Sequence, residues 1–165
     1  MKLFLLTLIT LYLYQTAKPA LVELRNYYQQ AGKQKSAAEK LDQLASLIDS
    51  SKAPVLIGYK GANEMIQAKY AWNPIAKWSR FNKGKTLLQF AISRDNTNLE
   101  TRFLRFSIQS NIPSFLNYNQ EIVADKRFLI INTPRSSDKK LKEIIVNYFV
   151  ATHTLTSTEL NTIKN

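Results

Sequence analysis

Apolar positions along this chain recur at helical spacing, three and four residues apart. In ALVELRNYYQQ, residues 20–30, they fall at Leu21, Leu24, Tyr27 and Tyr28. Ala37, Leu41, Leu44, Ala45 and Ile48 form a second stripe. Ser36 and Glu39 in front of it read as a capping box, in which each side chain bonds the other residue's backbone N–H. Lys52-Ala53-Pro54 interrupts the chain, and Pro54 suits the first turn of a third helix, where a missing N–H costs nothing. That helix is predicted over 54–70, with Leu56, Tyr59, Ala62, Met65 and Ile66 in register. Asn73-Pro74 marks a turn and a restart. A fourth helix is predicted over 75–94 and a fifth over 98–111, separated by the polar break Arg94-Asp95-Asn96-Thr97-Asn98. Within the fourth, Gly84 and Ala91 lie seven apart on one face, small residues where a second helix must come close.

Ile112-Pro113-Ser114 interrupts the pattern again. A sixth helix is predicted over 119–131 with Ile122, Lys126 and Leu129 in register, although its end, Phe128 to Ile131, also suits a short strand. Thr133-Pro134 closes it. Ser137 is a candidate cap for a seventh helix holding Leu141, Ile144, Ile145, Tyr148 and Phe149. Thr156 or Ser157 starts a short eighth before the polar tail. Seven or eight helices in hairpin succession predict an all-α fold.

Two stretches carry a family resemblance. Ala91-Ile92-Ser93-Arg94-Asp95-Asn96-Thr97-Asn98 is similar to the end of a tetratricopeptide repeat's second helix and the turn to the next repeat. Leu56-Ile57-Gly58-Tyr59-Lys60-Gly61-Ala62 resembles the leucine-glycine core of such a repeat's first helix. The likeness runs from Pro54 to about Ile131 and implies antiparallel helical hairpins stacked as a short, degenerate tetratricopeptide-like domain. The chain departs from the pattern at Asn96, where the family usually has proline. Its first-helix spacing, Pro54 to Asn98, is also longer than the usual repeat of about 34 residues. Residues 71–77 make up much of the excess. As a whole the chain also resembles an uncharacterised family of small exported bacterial helical proteins, which implies no activity.

Composition agrees with one folded domain. Four Gly, five Pro and 45% hydrophobic residues argue against disorder and against a turn-rich β protein. No cysteine is present, which excludes disulfides, thiolate catalysis, cysteine metal sites and acylation at an N-terminal cysteine. Met1-Lys2 followed by LFLLTLITLYLY has a positive start and an apolar run too short for a span of about 20 residues, and fits a secretory signal. Residues 1–17 are therefore expected to be a signal peptide and 18–165 a single helical-repeat domain. Ala17 or Ala20 is the candidate scission residue, and an uncleaved membrane anchor is the alternative. The expected location is periplasmic or secreted.

The formal net charge of +11 points to an anionic partner. With export, that partner becomes an acidic glycan, a lipid surface or an acidic protein, and nucleic acid becomes a minor reading. Catalytic chemistry is thin. His153 is the sole histidine and reads as structural or solvent-facing. Neither a G-x-S-x-G elbow nor a phosphate-cradling glycine loop occurs. No catalytic residue, metal ligand or cofactor is assigned, and the expected protein is not an enzyme.

One stretch stands above background. Between Glu64 and Asp95 there is no acidic residue across 30 positions. Lys69, Lys77, Arg80, Lys83, Lys85 and Arg94 alternate there with Tyr70, Trp72, Trp78, Phe81 and Phe90. Arg102 and Arg105, three apart and so on one face, extend the charge onto the next helix. Arginine with aromatics makes an adhesive surface through cation–π contact and charge-assisted hydrogen bonds. The candidate partner-binding residues are Lys77, Trp78, Arg80, Lys83, Arg102 and Arg105. Two alternatives stand beside this: Trp72, Trp78, Phe81 and Phe90 are core with basic heads reaching outward, or the tryptophans, tyrosine and lysines lie at a membrane interface. A second aromatic group, Phe115, Tyr118 and Phe128, reads as core or packed loop. The functional expectation is an exported scaffold that binds a protein or peptide partner in the cell envelope. A basic binder of acidic glycan or membrane headgroups is the alternative, and an enzyme with an unrecognised site is third.

Overall fold

Four helix starts among the described residues are set by short polar side chains. The structure is a computed structural model that describes residues 21–49 and 53–164. Asn73 accepts from the Ala76 N–H at 2.7 Å and Asn98 from the Thr101 N–H at 3.0 Å, each satisfying an orphan donor of the helix that follows. Asp138, rather than the expected Ser137, does the same for the Leu141 N–H at 2.9 Å. Thr156 and Glu159 form a reciprocal capping box. The box expected at Ser36 and Glu39 does not form. Its helix begins at Lys35 with Gln34 as an uncapped lead, so Ser36 already lies inside the first turn.

The helices are residues 21–31 (α1), Lys35–Ser46 (α2), Pro54–Tyr70 (α3), Pro74–Arg94 (α4), Leu99–Gln109 (α5), Ile122–Asn132 (α6), Lys139–Thr152 (α7) and Ser157–Lys164 (α8), with a 3₁₀ turn at Ser114–Leu116. The described residues hold no strand, and Phe128 to Ile131 are helical within α6. The protein is all-α, as the periodicity predicts. The expected signal segment, residues 1–17, lies outside the described residues. No helix among those described is long and apolar enough to cross a membrane.

α3 and α4 run antiparallel with almost no space between them. A Cβ on Gly61 would lie 2.8 Å from both the Gly84 carbonyl oxygen and the Leu88 nitrogen. One on Gly84 would lie 2.6 Å from the Gly61 carbonyl oxygen. Only hydrogen fits at either position. Gly58 faces Ala91 of α4 and Thr101 and Leu104 of α5, so small residues let α3 meet two helices at once.

Two apolar cores result. Leu24, Leu41, Tyr59, Phe81 and Leu88 build the first from α1–α4. Leu129, Leu141, Ile144, Ile145, Phe149 and Ile163 build the second from α6–α8. α5 lies between them. Its Leu104 and Ile108 enter the first core, and its Phe103 and Phe106 enter the second. Each such fully buried side chain contributes roughly 1.5–3 kcal/mol.

Candidate functional site

Only three residues, 71–73, separate α3 from α4, and the Asn73 cap fixes the direction of α4 as it leaves. Trp72, ahead of the cap, cannot reach the α3–α4 seam and stands 91% exposed. Ile75 in the first turn and Trp78 one turn later are 82% and 58% exposed, with exposed Lys77 between them. Trp78 has a firm seat. Its ring stacks on buried Phe81 at 6.1 Å, Phe81 meets buried Tyr118 edge-on at 5.9 Å, and the Lys85 ammonium stands 5.2 Å from the Tyr118 ring. Lys77 has no carboxylate partner among the described residues. Of the four aromatics that the alternative reading put in the core, only Phe81 is buried; Trp72, Trp78 and Phe90 are exposed. In the second aromatic group Tyr118 is core, but Phe115 is 82% exposed.

The other four basic candidates have partners. Arg80 and Lys83 both hold Glu64, at 3.0 and 2.6 Å, and stay partly open to solvent beside it. Arg102 and Arg105 do share a face of α5, but that face turns toward α6. Arg105 donates from Nε to Asp125 Oδ2 at 2.6 Å and from Nη2 to Oδ1 at 2.8 Å, with Glu121 3.6 Å away. Arg102 donates to the same Asp125 at 2.6 Å and to the Asn96 carbonyl at 3.1 Å, its guanidinium 4.9 Å from the Phe128 ring. Arg105 is 3% exposed, an interior residue and no part of the surface. The six candidates therefore do not form one face. Burial works against the Arg105 charge, but the Asp125 hydrogen bonds and charge outweigh it and raise its pKa.

A second buried network escapes the sequence reading. Arg25 forms a two-pronged pair with Glu100 at 2.7 and 2.6 Å and reaches Asp138 at 2.7 Å. Tyr59 donates to Glu100 at 2.7 Å. Burial opposes the Arg25 charge, and the bonds to Glu100 and Asp138 prevail, so its pKa rises. Burial also lifts Asp138, but the Arg25 hydrogen bond and the Leu141 N–H hold its carboxyl below the usual range. The signal was present in the sequence: Arg25 follows Leu24 directly and falls on the stripe of Leu21 and Tyr28. This network joins α1, α5 and the start of α7, with each carboxylate and guanidinium already occupied.

His153 is exposed and takes a left-handed backbone, φ 51°, as the C-cap of α7, a terminating role. The described residues hold no group of three or more His, Asp or Glu fit for a metal ion. A recess of about 190 Å³ includes Lys35, Glu39, Gln67, Tyr70 and Arg80, and a groove of about 420 Å³ runs along Asn82, Lys85, Thr86 and Gln89 of α4. Comparison with known protein families, with curated proteins and with solved structures found no match.

Proposed function

We propose that this protein acts by contact, as a non-enzymatic helical scaffold that docks a partner through the corner of Trp72, Ile75, Lys77 and Trp78. The single observation that carries the reading is the exposure of two tryptophans and an isoleucine around the start of α4, with Trp78 seated on a buried aromatic ladder. Exposed tryptophan is costly to solvate and among the side chains that contribute most when an interface covers it. The fit of Gly61 against Gly84, and of α3 against α5, supports the proposal that the scaffold is a degenerate array of tetratricopeptide-like hairpins. Export to the envelope is proposed on the apolar run that follows Lys2. A protein or peptide partner is one reading. The basic stretch that carries the corner, with no acidic residue between Glu64 and Asp95, favours a second, anionic headgroups.

The test compares the full chain with a Trp72→Ser/Ile75→Ser/Trp78→Ser variant in cross-linking to envelope fractions. A parallel variant, Arg80→Gln/Lys83→Gln, leaves the corner intact. The corner variant is expected to lose association while keeping its helical circular dichroism, and the basic variant to keep most of it. Equal association of the corner variant and its parent would overturn the docking reading.

A further inference from the structure

The chemistry of the corner narrows the partner, an inference that rests on the docking reading. Trp72 projects from the turn between α3 and α4 and Ile75 from the first turn of α4, and neither lines the recess or the groove described above. Projecting apolar side chains are covered best by a medium that deforms around them. A rigid protein surface must supply a matching pocket; the headgroup region of a bilayer need not. The residue types agree. Tryptophan places an apolar ring and an N–H donor at the level of the headgroups, and lysine meets their phosphates.

Charge is complementary to an anionic surface. No acidic residue occurs between Glu64 and Asp95, and Glu64 is 8% exposed and already held by Arg80 and Lys83. No carboxylate on this stretch repels a phosphate approaching Lys77. The Phe81–Tyr118 ladder under Trp78 holds one ring in place before contact, which lowers the entropy lost on binding.

We infer that the Trp72–Ile75–Trp78 corner is a membrane-interface anchor that inserts its apolar side chains at headgroup depth in an anionic bilayer, with Lys77 contacting lipid phosphate. In sequence the corner lies more than fifty residues after the apolar run at the start of the chain. Tyr70 donates to the Ala31 carbonyl and Lys69 to that of Gly32, so the C-terminal end of α1 adjoins the corner. Residue 21 lies at the other end of α1, about 15 Å away along the helix axis.

The sequence supplies its own probe. Trp72 and Trp78 are the two tryptophans of the chain, so indole emission reports the corner and not residues 1–20. The full chain is mixed with vesicles of phosphatidylglycerol and phosphatidylcholine, or of phosphatidylcholine alone, some carrying brominated acyl chains. On anionic vesicles the emission is expected to shift to shorter wavelength and to be quenched by bromine set near the headgroups. Lys77→Glu is expected to weaken partition about fivefold or more, since one basic residue near an anionic surface contributes about that factor. Ile75→Ser is expected to weaken partition without moving the thermal midpoint, because Ile75 is exposed.

Sedimentation with vesicles while the tryptophan emission stays unmoved would overturn the inference, because another part of the chain would then hold the lipid. Failure to bind anionic vesicles, or equal insertion into neutral ones, would also overturn it. If the corner variant loses its envelope partners while the parent ignores vesicles, docking stands and the partner is a protein. If that variant keeps them all, docking itself falls.

Discussion

Asp125 is fully buried and receives both Arg102 and Arg105, so its carboxylate bridges two cations at the α5–α6 contact, with Glu121 3.6 Å from Arg105 at the rim. Removing one partner of a buried pair leaves a desolvated charge, at a cost of about 3–5 kcal/mol. Asp125→Ala is expected to destabilise by that amount in urea denaturation. Arg102→Ala is expected to cost clearly less, because Arg102 is part-exposed and Arg105 still satisfies Asp125. Equal costs would mean that Arg105 does not hold the carboxylate alone. The buried tyrosines set the alkaline limit. Burial raises Tyr28, Tyr59, Tyr118 and Tyr148, with Tyr118 pushed up to about 12. Above pH about 10 the unfolded chain loses phenol protons that the folded chain keeps. Stability is therefore complete below that pH and falls as pH rises through the folded values. Absorbance at 295 nm should show these four tyrosines ionising later in the native protein than in urea, where they ionise near pH 10. At the acid end the sign reverses. Asp138 is held below its ordinary value, so its contribution is present above pH about 4 and lost as pH falls through the folded value. Asp138→Asn should flatten that part of the acid slope.

The α3–α4 pair turns an ordinary helix rule around. Replacing glycine by alanine inside an exposed helix stabilises it by about 1 kcal/mol. At Gly61 and Gly84 the new methyl group meets backbone of the facing helix, which cannot move aside as a side chain can. Gly61→Ala and Gly84→Ala are each expected to destabilise by about 2 kcal/mol or more. Gly32→Ala, with nothing within 4 Å of its Cβ, should be neutral or stabilise by up to about 1 kcal/mol. Thermal midpoints of the three variants check this, and a stabilised Gly84→Ala would mean that the helices stand further apart. The seam was legible in the sequence because close approach requires glycine, and glycine is otherwise disfavoured in a helix. Pro54, Asn73 and Asn98 marked helix starts correctly because proline and asparagine act through local backbone chemistry. Ser36 misled, because the chain between α1 and α2 is only three residues long and the helix begins before Ser36 can cap it. Which way the basic and aromatic side chains face was not legible. Arg105 is interior only because Asp125, twenty residues on, arrives on α6 to meet it, and nothing local to α5 encodes that. Trp72 is the converse case. A tryptophan just ahead of an Asn-Pro helix start sits in a turn, where the seam between two helices cannot cover it.

At the scale of the whole molecule, α5 is the shared wall. All its residues from Glu100 to Gln109 except Arg102 are buried, with Leu104 and Ile108 on one core and Phe103 and Phe106 on the other. The Arg25–Glu100–Asp138 network crosses the same boundary, joining α1 in the first core to the start of α7 in the second. Opening either core would expose one side of α5 and strand buried charges on the other, so the free energy of one half depends on the other. A single cooperative transition follows. Phe106→Ala tests it, since Phe106 belongs to the second core and its loss should cost about 3–5 kcal/mol. The tryptophans report from the far side, because Trp78 stacks on Phe81 of the first core. In urea, the tryptophan and far-ultraviolet circular dichroism transitions of the variant should move down together and by the same amount. A tryptophan midpoint left at the parent's value, with only part of the dichroism shifted, would show that α6–α8 unfold alone and that α5 does not couple the two cores.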